Sequence, residues 1–148
     1  MKKSFQVEQI DHVELFVPDR YEAAQWYEKV LGLKIVKGYK RWSDDPHGPL
    51  MISTPKAQTK LALFRGEPQA GRKTAGYHCV AFRVTGKSFL QFLDILKDLK
   101  LQDDSGRMLT SSDYHDYTKA FSIYFFDPWG HRIEITSYEH EIVRKNLK

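Results

Sequence analysis

The 148-residue chain contains one cysteine, so no internal disulfide can form and the fold must be held by its core. A lone thiol, Cys79, matches a reducing compartment, and a cytoplasmic location is expected. The sequence has no apolar run approaching the roughly 20 residues that span a bilayer, so no membrane association is expected. The start, MKKSFQVEQIDHVELFV, opens on two lysines, but Glu8 and Asp11 interrupt any apolar stretch and no signal peptide is read there. There is no low-complexity tract and no linker. Excess charge of one sign is small: 23 Lys and Arg against 19 Asp and Glu, a net +4. The basic residues are scattered among acids in every segment, which excludes a concentrated nucleic-acid-binding face and leaves a solvated, slightly basic surface.

What the sequence does have is an internal repeat. His12-Val13-Glu14-Leu15-Phe16-Val17 is echoed by His78-Cys79-Val80-Ala81-Phe82-Arg83, with a histidine first and a phenylalanine four residues later. The same offset of 66 residues, without a gap, carries Trp26 onto Phe92, Val30 onto Leu96 and Leu33 onto Leu99. Each half reads strand, helix, further strands. In the first helix Asp19 is the expected cap, with Glu22 completing a capping box; Ala23, Trp26, Tyr27 and Val30 form the buried stripe, and Gly32 ends it. The second helix is expected from Gly86 or Lys87, with Phe89, Phe92, Leu93 and Leu96 as its core stripe. Residues 50–53 and 60–64 predict a hairpin pair. Residues 121–126 and 131–136 predict another around the turn Asp127-Pro128-Trp129-Gly130. Residues 37–49 and 103–116 are expected as loops, the second with a short strand at 108–110; the tail from Glu139 adds a charged helix.

Strand side chains alternate between faces. Val13, Leu15 and Val17 should pack on the first helix, which turns His12, Glu14 and Phe16 to the opposite, front face. In the last strand Ile133 and Ile135 share the apolar back, and Arg132, Glu134 and Thr136 point forward. A glutamate in the middle of an apolar strand is costly to bury as an ion unless it is paired or ligated. His12 and His78, at repeat-related positions, together with Glu134, make a set of two imidazoles and one carboxylate. That set suits Fe(II), with Mn, Ni or Zn as alternatives, and leaves coordination positions open for substrate and oxygen.

At Tyr124-Phe125-Phe126-Asp127-Pro128-Trp129-Gly130-His131-Arg132-Ile133-Glu134 the sequence resembles the vicinal oxygen chelate superfamily, which holds glyoxalase I, extradiol dioxygenases, fosfomycin-resistance thiol transferases and bleomycin-resistance proteins. The resemblance runs from the His12 strand to the Glu134 strand. It implies an α+β fold of two βαβββ modules, about residues 8–66 and 76–138, in a pseudo-twofold arrangement that forms a cup around a metal. It implies His12, His78 and Glu134 as ligands, a small-molecule substrate that offers two vicinal oxygens, and a homodimer. Glyoxalase I usually adds a fourth ligand from the last strand of the first module. Here that strand reads Lys60-Leu61-Ala62-Leu63-Phe64, and Leu63 or a neighbour opposite Glu134 cannot ligate. The extradiol signature is matched by His115, Ile123, Tyr124, Asp127, Pro128, Gly130 and Glu134, with Ser112 where a glycine is usual. It implies His115 and Tyr124 as catalytic residues: a histidine to accept a proton from a chelated diol and a tyrosine to donate to the bound oxygens. Ring-cleaving dioxygenation is therefore the leading expectation. Glyoxalase-like isomerisation or lysis, fosfomycin-type thiol transfer and metal-free drug binding are the alternatives.

Overall fold

The structure, a computed structural model, describes residues 10, 12–67 and 79–147. The chain divides into two compact units, Met1–Gln69 and Ala70–Lys148.

In the first unit, strand β1 (His12–Val17) leads into helix α1 (Arg20–Leu31), then β2 (Lys34–Ile35), a short 3-10 turn (Lys37–Tyr39), helix α2 (Lys40–Ser43), β3 (Leu50–Ser53) and β4 (Lys60–Arg65). The sheet order is β1-β4-β3-β2, with β1 parallel to β4 and the other pairs antiparallel. Helix α1 starts where the sequence says it should. The Asp19 carboxylate accepts from the backbone N–H groups of Tyr21 and Glu22, at 2.8 and 2.9 Å, and the helix ends at Gly32 in the left-handed conformation. Ala23, Ala24, Tyr27 and Val30 are its buried stripe; Trp26 is half-exposed and gives way to Ala24. Leu15, Val17, Leu50, Ile52, Leu61 and Leu63 fill the core beneath it, none more than 3% exposed. The expected loop at 37–49 contains the 3-10 turn and α2 instead. Three carbonyls in it, those of Ser43, Asp45 and Gly48, accept from the Arg20 guanidinium. Gly48 is required there, since a Cβ would sit 2.1 Å from the backbone oxygen of Trp42.

The second unit repeats the plan: β5 (Val80–Arg83), α3 (Gly86–Leu99), β6 (His115–Asp116), β7 (Phe121–Phe126), β8 (Arg132–Ser137) and α4 (His140–Asn146), with sheet order β5-β8-β7-β6. Thr85 caps α3 by accepting from the Ser88 backbone N–H at 3.2 Å. Phe89, Phe92, Leu93 and Leu96 pack on Phe121, Ile123, Phe125, Ile133 and Ile135, all at most 9% exposed, so these aromatics are core. The tail helix α4 buries Val143. Its approach is fixed by Glu139, whose carboxylate accepts from the Gly86 backbone N–H at 2.7 Å. The loop after α3 differs from expectation. Met108 makes only an isolated bridge with Gln102, and the regular pairing falls later, where β6 meets β7. Met108 is 49% exposed, whereas His115 and Asp116 are paired with Ser122 and Phe121 opposite.

No helix of the described residues is long and apolar enough to cross a membrane.

Candidate functional site

The register of the second sheet assembles a polar front face. Tyr124 lies opposite Glu134 in the β7–β8 ladder, and Glu134 lies opposite Ala81 in the β5–β8 ladder. His115 lies opposite Ser122, which puts it diagonally next to Tyr124 on the same face. The rings of His115 and Tyr124 meet edge to face with centroids 5.5 Å apart, so the two residues expected to act together are adjacent. His115 also stacks on Tyr117 at 5.9 Å, and the Tyr117 and Tyr124 hydroxyls are 3.2 Å apart. The Arg132 guanidinium covers the Tyr124 ring, 4.6 Å from its centroid. Burial pushes the Tyr124 phenol well above its usual range, reinforced by hydrogen bonding to Tyr117 and by the Glu134 carboxylate. Tyr124 therefore stays a protonated donor, opposite the Glu134 carboxylate in the ladder.

Glu134 owes its position to the turn before it. The Asp127 carboxylate is fully buried and accepts from the backbone N–H groups of Trp129 (2.9 Å) and His131 (2.8 Å), and it lies 2.6 Å from His131 Nδ1. Gly130 takes φ 89°, a conformation that a side chain would strain. This pinned turn sets where β8 begins and hence which residues face forward.

A cavity of about 580 Å³ opens in front of β7 and β8, lined by His115, Tyr124, Phe126, Arg132 and the loop 103–115. Arg107 anchors that loop, pairing with Asp113 at 2.9 Å and Asp103 at 3.0 Å. The Arg107 hydrogen bonds hold the Asp113 carboxyl at about 2, below the usual aspartate range, helped by the Thr110 backbone and side chain. A carboxyl lowered on folding contributes stability above about pH 4 and loses it as the pH falls toward 2. Arg107 is 55% exposed, so solvent screening keeps the contribution small. The Asp113→Asn variant should melt roughly 3 °C lower than the wild type at pH 6 and converge with it by pH 2. A constant gap across that range, measured by calorimetry, would rule the linkage out.

The first unit turns His12, Glu14 and Phe16 forward, as expected, with Leu15 and Val17 buried behind. His12 Nε2 is 3.6 Å from the Glu14 carboxylate. In front of this sheet lies a second cavity, about 290 Å³, which His12 and Glu14 line together with Tyr39, Trp42 and Met51.

His78 lies outside the described residues. The described part of β5 nevertheless changes how the repeat is read. In the first sheet Leu15 pairs with Leu63, and in the second Phe82 pairs with Ile135. Strands β4 and β8 begin at Lys60 and Arg132, an offset of 72 residues, which makes Ile135 the counterpart of Leu63 and Phe82 the counterpart of Leu15. The first strands are thus related by 67 residues, while the helix caps Asp19 and Thr85 are related by 66. With the strand starts aligned in this way, the residue of the first unit equivalent to Glu134 is Ala62, a neighbour of Leu63 and equally unable to ligate. Continued one residue before β5, the same alignment sets Cys79 level with His12. Burial raises the Cys79 thiol pKa, with the Glu134 carboxylate adding and Arg132 opposing, so the thiol lies near both front-face side chains. Val80 and Phe82, the large apolar residues of β5, carried this signal in the sequence. The roles of Arg132 and Tyr117 had no signal beyond strand alternation. Among the described residues, no three His, Cys, Asp or Glu side chains group as a metal site.

Two β-α-β-β-β units, each with a helix-covered back and a polar front, define the fold class. The model of the Glyoxalase/Bleomycin resistance protein/Dioxygenase superfamily matches residues 9–135, and the chain belongs to this superfamily. Its structure is similar to that of the oxidase ChaP-H2, with 20% identity and a TM-score of 0.63 over 89% of this chain and 94% of that one. It is also similar to the fosfomycin resistance protein FosX from Mesorhizobium loti, with 19% identity and a TM-score of 0.62 over 89% and 93% of the two chains. A lactoylglutathione lyase from Agrobacterium tumefaciens gives 18%, 0.61, 90% and 96% for the same quantities. At these identities the likeness is one of fold. No curated protein matches the chain.

Proposed function

We propose that the chain is a metal-dependent enzyme whose divalent ion chelates two vicinal oxygens of a small substrate, with extradiol-type ring cleavage as its reaction. The observation that carries this reading is the front-face cluster of Glu134, Tyr124 and His115 on three neighbouring strands. The proposed ligands are His12, Glu134 and a third donor from the dipeptide His78-Cys79. Glu134 fits a ligand's role, as a half-buried carboxylate between the buried Ile133 and Ile135. With His78 the set suits Fe(II), then Mn(II), Ni(II) or Zn(II); with Cys79 it shifts toward the softer Zn(II). When bound, the ion supplies Lewis acidity that favours loss of the diol protons. His115, exposed at the cavity, accepts a proton from a substrate hydroxyl. Tyr124, opposite Glu134 in the ladder, donates its phenol proton to a substrate oxygen. Arg132, over the Tyr124 ring, fixes its orientation.

The test is turnover. Protein loaded anaerobically with Fe(II) and given catechols should form yellow ring-cleavage products when oxygen is admitted, and His115→Ala should lower the rate by roughly a hundredfold or more. Methylglyoxal–thiol turnover in place of ring cleavage would assign the same chelate to isomerisation. One observation favours a second reading, a metal-free binding module: the counterpart of His12 is a cysteine. Protein purified without chelator that holds less than about a tenth of an equivalent of metal, unrescued by added Fe(II), Mn(II) or Ni(II), would establish that reading.

A further inference from the structure

Helix α4 takes no part in the chemistry proposed above, yet one of its side chains reaches the hairpin that carries His115. Strand β6 has two residues and lies at the edge of its sheet, where the pairs His115–Ser122 and Asp116–Phe121 tie it to β7. An exposed edge strand this short opens readily unless something else holds it. Period-two alternation turns His115 and Tyr117 toward Tyr124 and turns Asp116 the other way, toward α4.

Arg144 of α4 meets it there. Its Nη2 donates to both Asp116 carboxylate oxygens, at 3.0 and 3.3 Å, and to the Thr118 carbonyl at 2.9 Å. The guanidinium lies over the buried Phe121 ring, 5.2 Å from its centroid, which guides its approach. The Asp116 carboxylate also accepts from the Thr118 backbone N–H at 2.7 Å; that bond and then Arg144 hold its carboxyl below the usual aspartate range. Thr118 stands at φ 69°, a left-handed conformation that a β-branched residue adopts only where its surroundings impose it. One residue earlier, the Tyr117 backbone N–H donates to the Ala120 carbonyl at 2.9 Å, the Tyr117 ring stacks on His115 with planes 12° apart, and its hydroxyl meets that of Tyr124. The Arg144 and Asp116 side chains are 44% and 42% exposed, and an ion pair so open to water adds little to stability. What the pair supplies is a second fixed point for the hairpin, on the face opposite His115.

We propose that Arg144 is a positioning residue: by clamping Asp116 and Thr118 from α4 it fixes the turn between β6 and β7, and through the Tyr117 ring it sets the orientation of the His115 imidazole. The assignment rests on the proposed function for its effect on turnover; the orientation of the ring does not depend on that function.

Two readouts on the full chain test it. Proton NMR of protein purified without added iron reads the ring: the His115 C–H resonances, assigned by their loss in His115→Ala, carry the ring-current shift of the stacked Tyr117. Arg144→Ala should remove most of that shift while the melting temperature stays within about 3 °C of wild type. Arg144→Lys, a point charge without the planar fork, should fall between the two. Asp116→Asn keeps an oxygen to accept from Thr118 and removes the charge; it should reproduce Arg144→Ala, and it decides the matter if the alanine variant melts early. In the ring-cleavage assay, Arg144→Ala should lower kcat roughly tenfold with KM within about twofold. In a chain already carrying His115→Ala it should add less than about twofold. His115 resonances at their wild-type positions in both Arg144→Ala and Asp116→Asn, or equal losses of kcat with and without His115, overturn the proposal. A wild-type chain that turns over no catechol would remove the proposed reaction and leave the resonances to decide the clamp.

Discussion

Replacing Glu134 with alanine should leave the protein folded and reduce its affinity for a divalent metal by more than about a hundredfold, since loss of partners merely behind metal ligands already costs ten- to a hundredfold. The fold should survive because the flanking Ile133 and Ile135, 2% and 3% exposed, supply the strand's packing, and Tyr124 keeps the Tyr117 hydroxyl as a partner. Metal content after dialysis against a weak chelator, read beside far-ultraviolet circular dichroism, gives the result. A folded Glu134→Ala protein with the wild-type metal content would reject the proposed ligand. The same assay separates the two candidates for the third donor. If Cys79 takes the position equivalent to His12, Cys79→Ser should lose the metal and His78→Ala should keep it. The opposite pattern would mean that the strand alternation seen from Val80 onward does not extend back to residue 78.

The second large effect concerns Asp127. Its carboxylate is fully buried and serves three donors, two backbone N–H groups and the His131 ring. Alanine would remove the acceptor that these part-buried donors share, and hydrogen bonding to a charged group is worth roughly 1.5–3 kcal/mol. For a chain of this size that is a fall of roughly 5–10 °C in melting temperature. Asparagine keeps one acceptor oxygen and should fall between alanine and wild type. A melting temperature within about 2 °C of wild type in Asp127→Ala would show that the turn is held by its backbone alone. The same variant links stability to the site: when the turn loosens, the start of β8 is no longer fixed and Glu134 is less well aimed, so metal affinity should weaken as well.

Much of this protein was legible locally. Asp19 and Gly32 bound the first helix because an oxygen acceptor at one end and a left-handed residue at the other satisfy orphan backbone groups whatever surrounds them. The Asp-Pro-x-Gly turn was legible for a similar reason: Asp127 binds groups two and four residues ahead of it. The front-face positions of His12, Glu134 and Tyr124 followed from period-two alternation. The segments that were misread have weak local signals and are decided from a distance. Residues 40–43 are drawn into a helix whose following turn hangs on Arg20, more than twenty residues away. The pairing expected at 108–110 moves to 115–116 because Phe121 and Ser122 of β7 provide the facing edge.

The sequence by itself determined the two-unit plan, the faces of its strands and the adjacency of chemistry-bearing residues to apolar cores, because those depend on periodicities within one segment. Only the tertiary structure decided the register between segments. A gapless repeat of 66 residues matches histidine to histidine, but with β4 and β8 aligned at their first residues the sheet ladders relate the first strands by 67 residues, which sets Cys79, just before β5, level with His12. The physical reason is that a strand's hydrogen-bond partners lie on other strands, and a slip of one residue turns every side chain to the opposite face. No pattern within β5 alone fixes that count; it is set where Phe82 meets Ile135 and Ala81 meets Glu134.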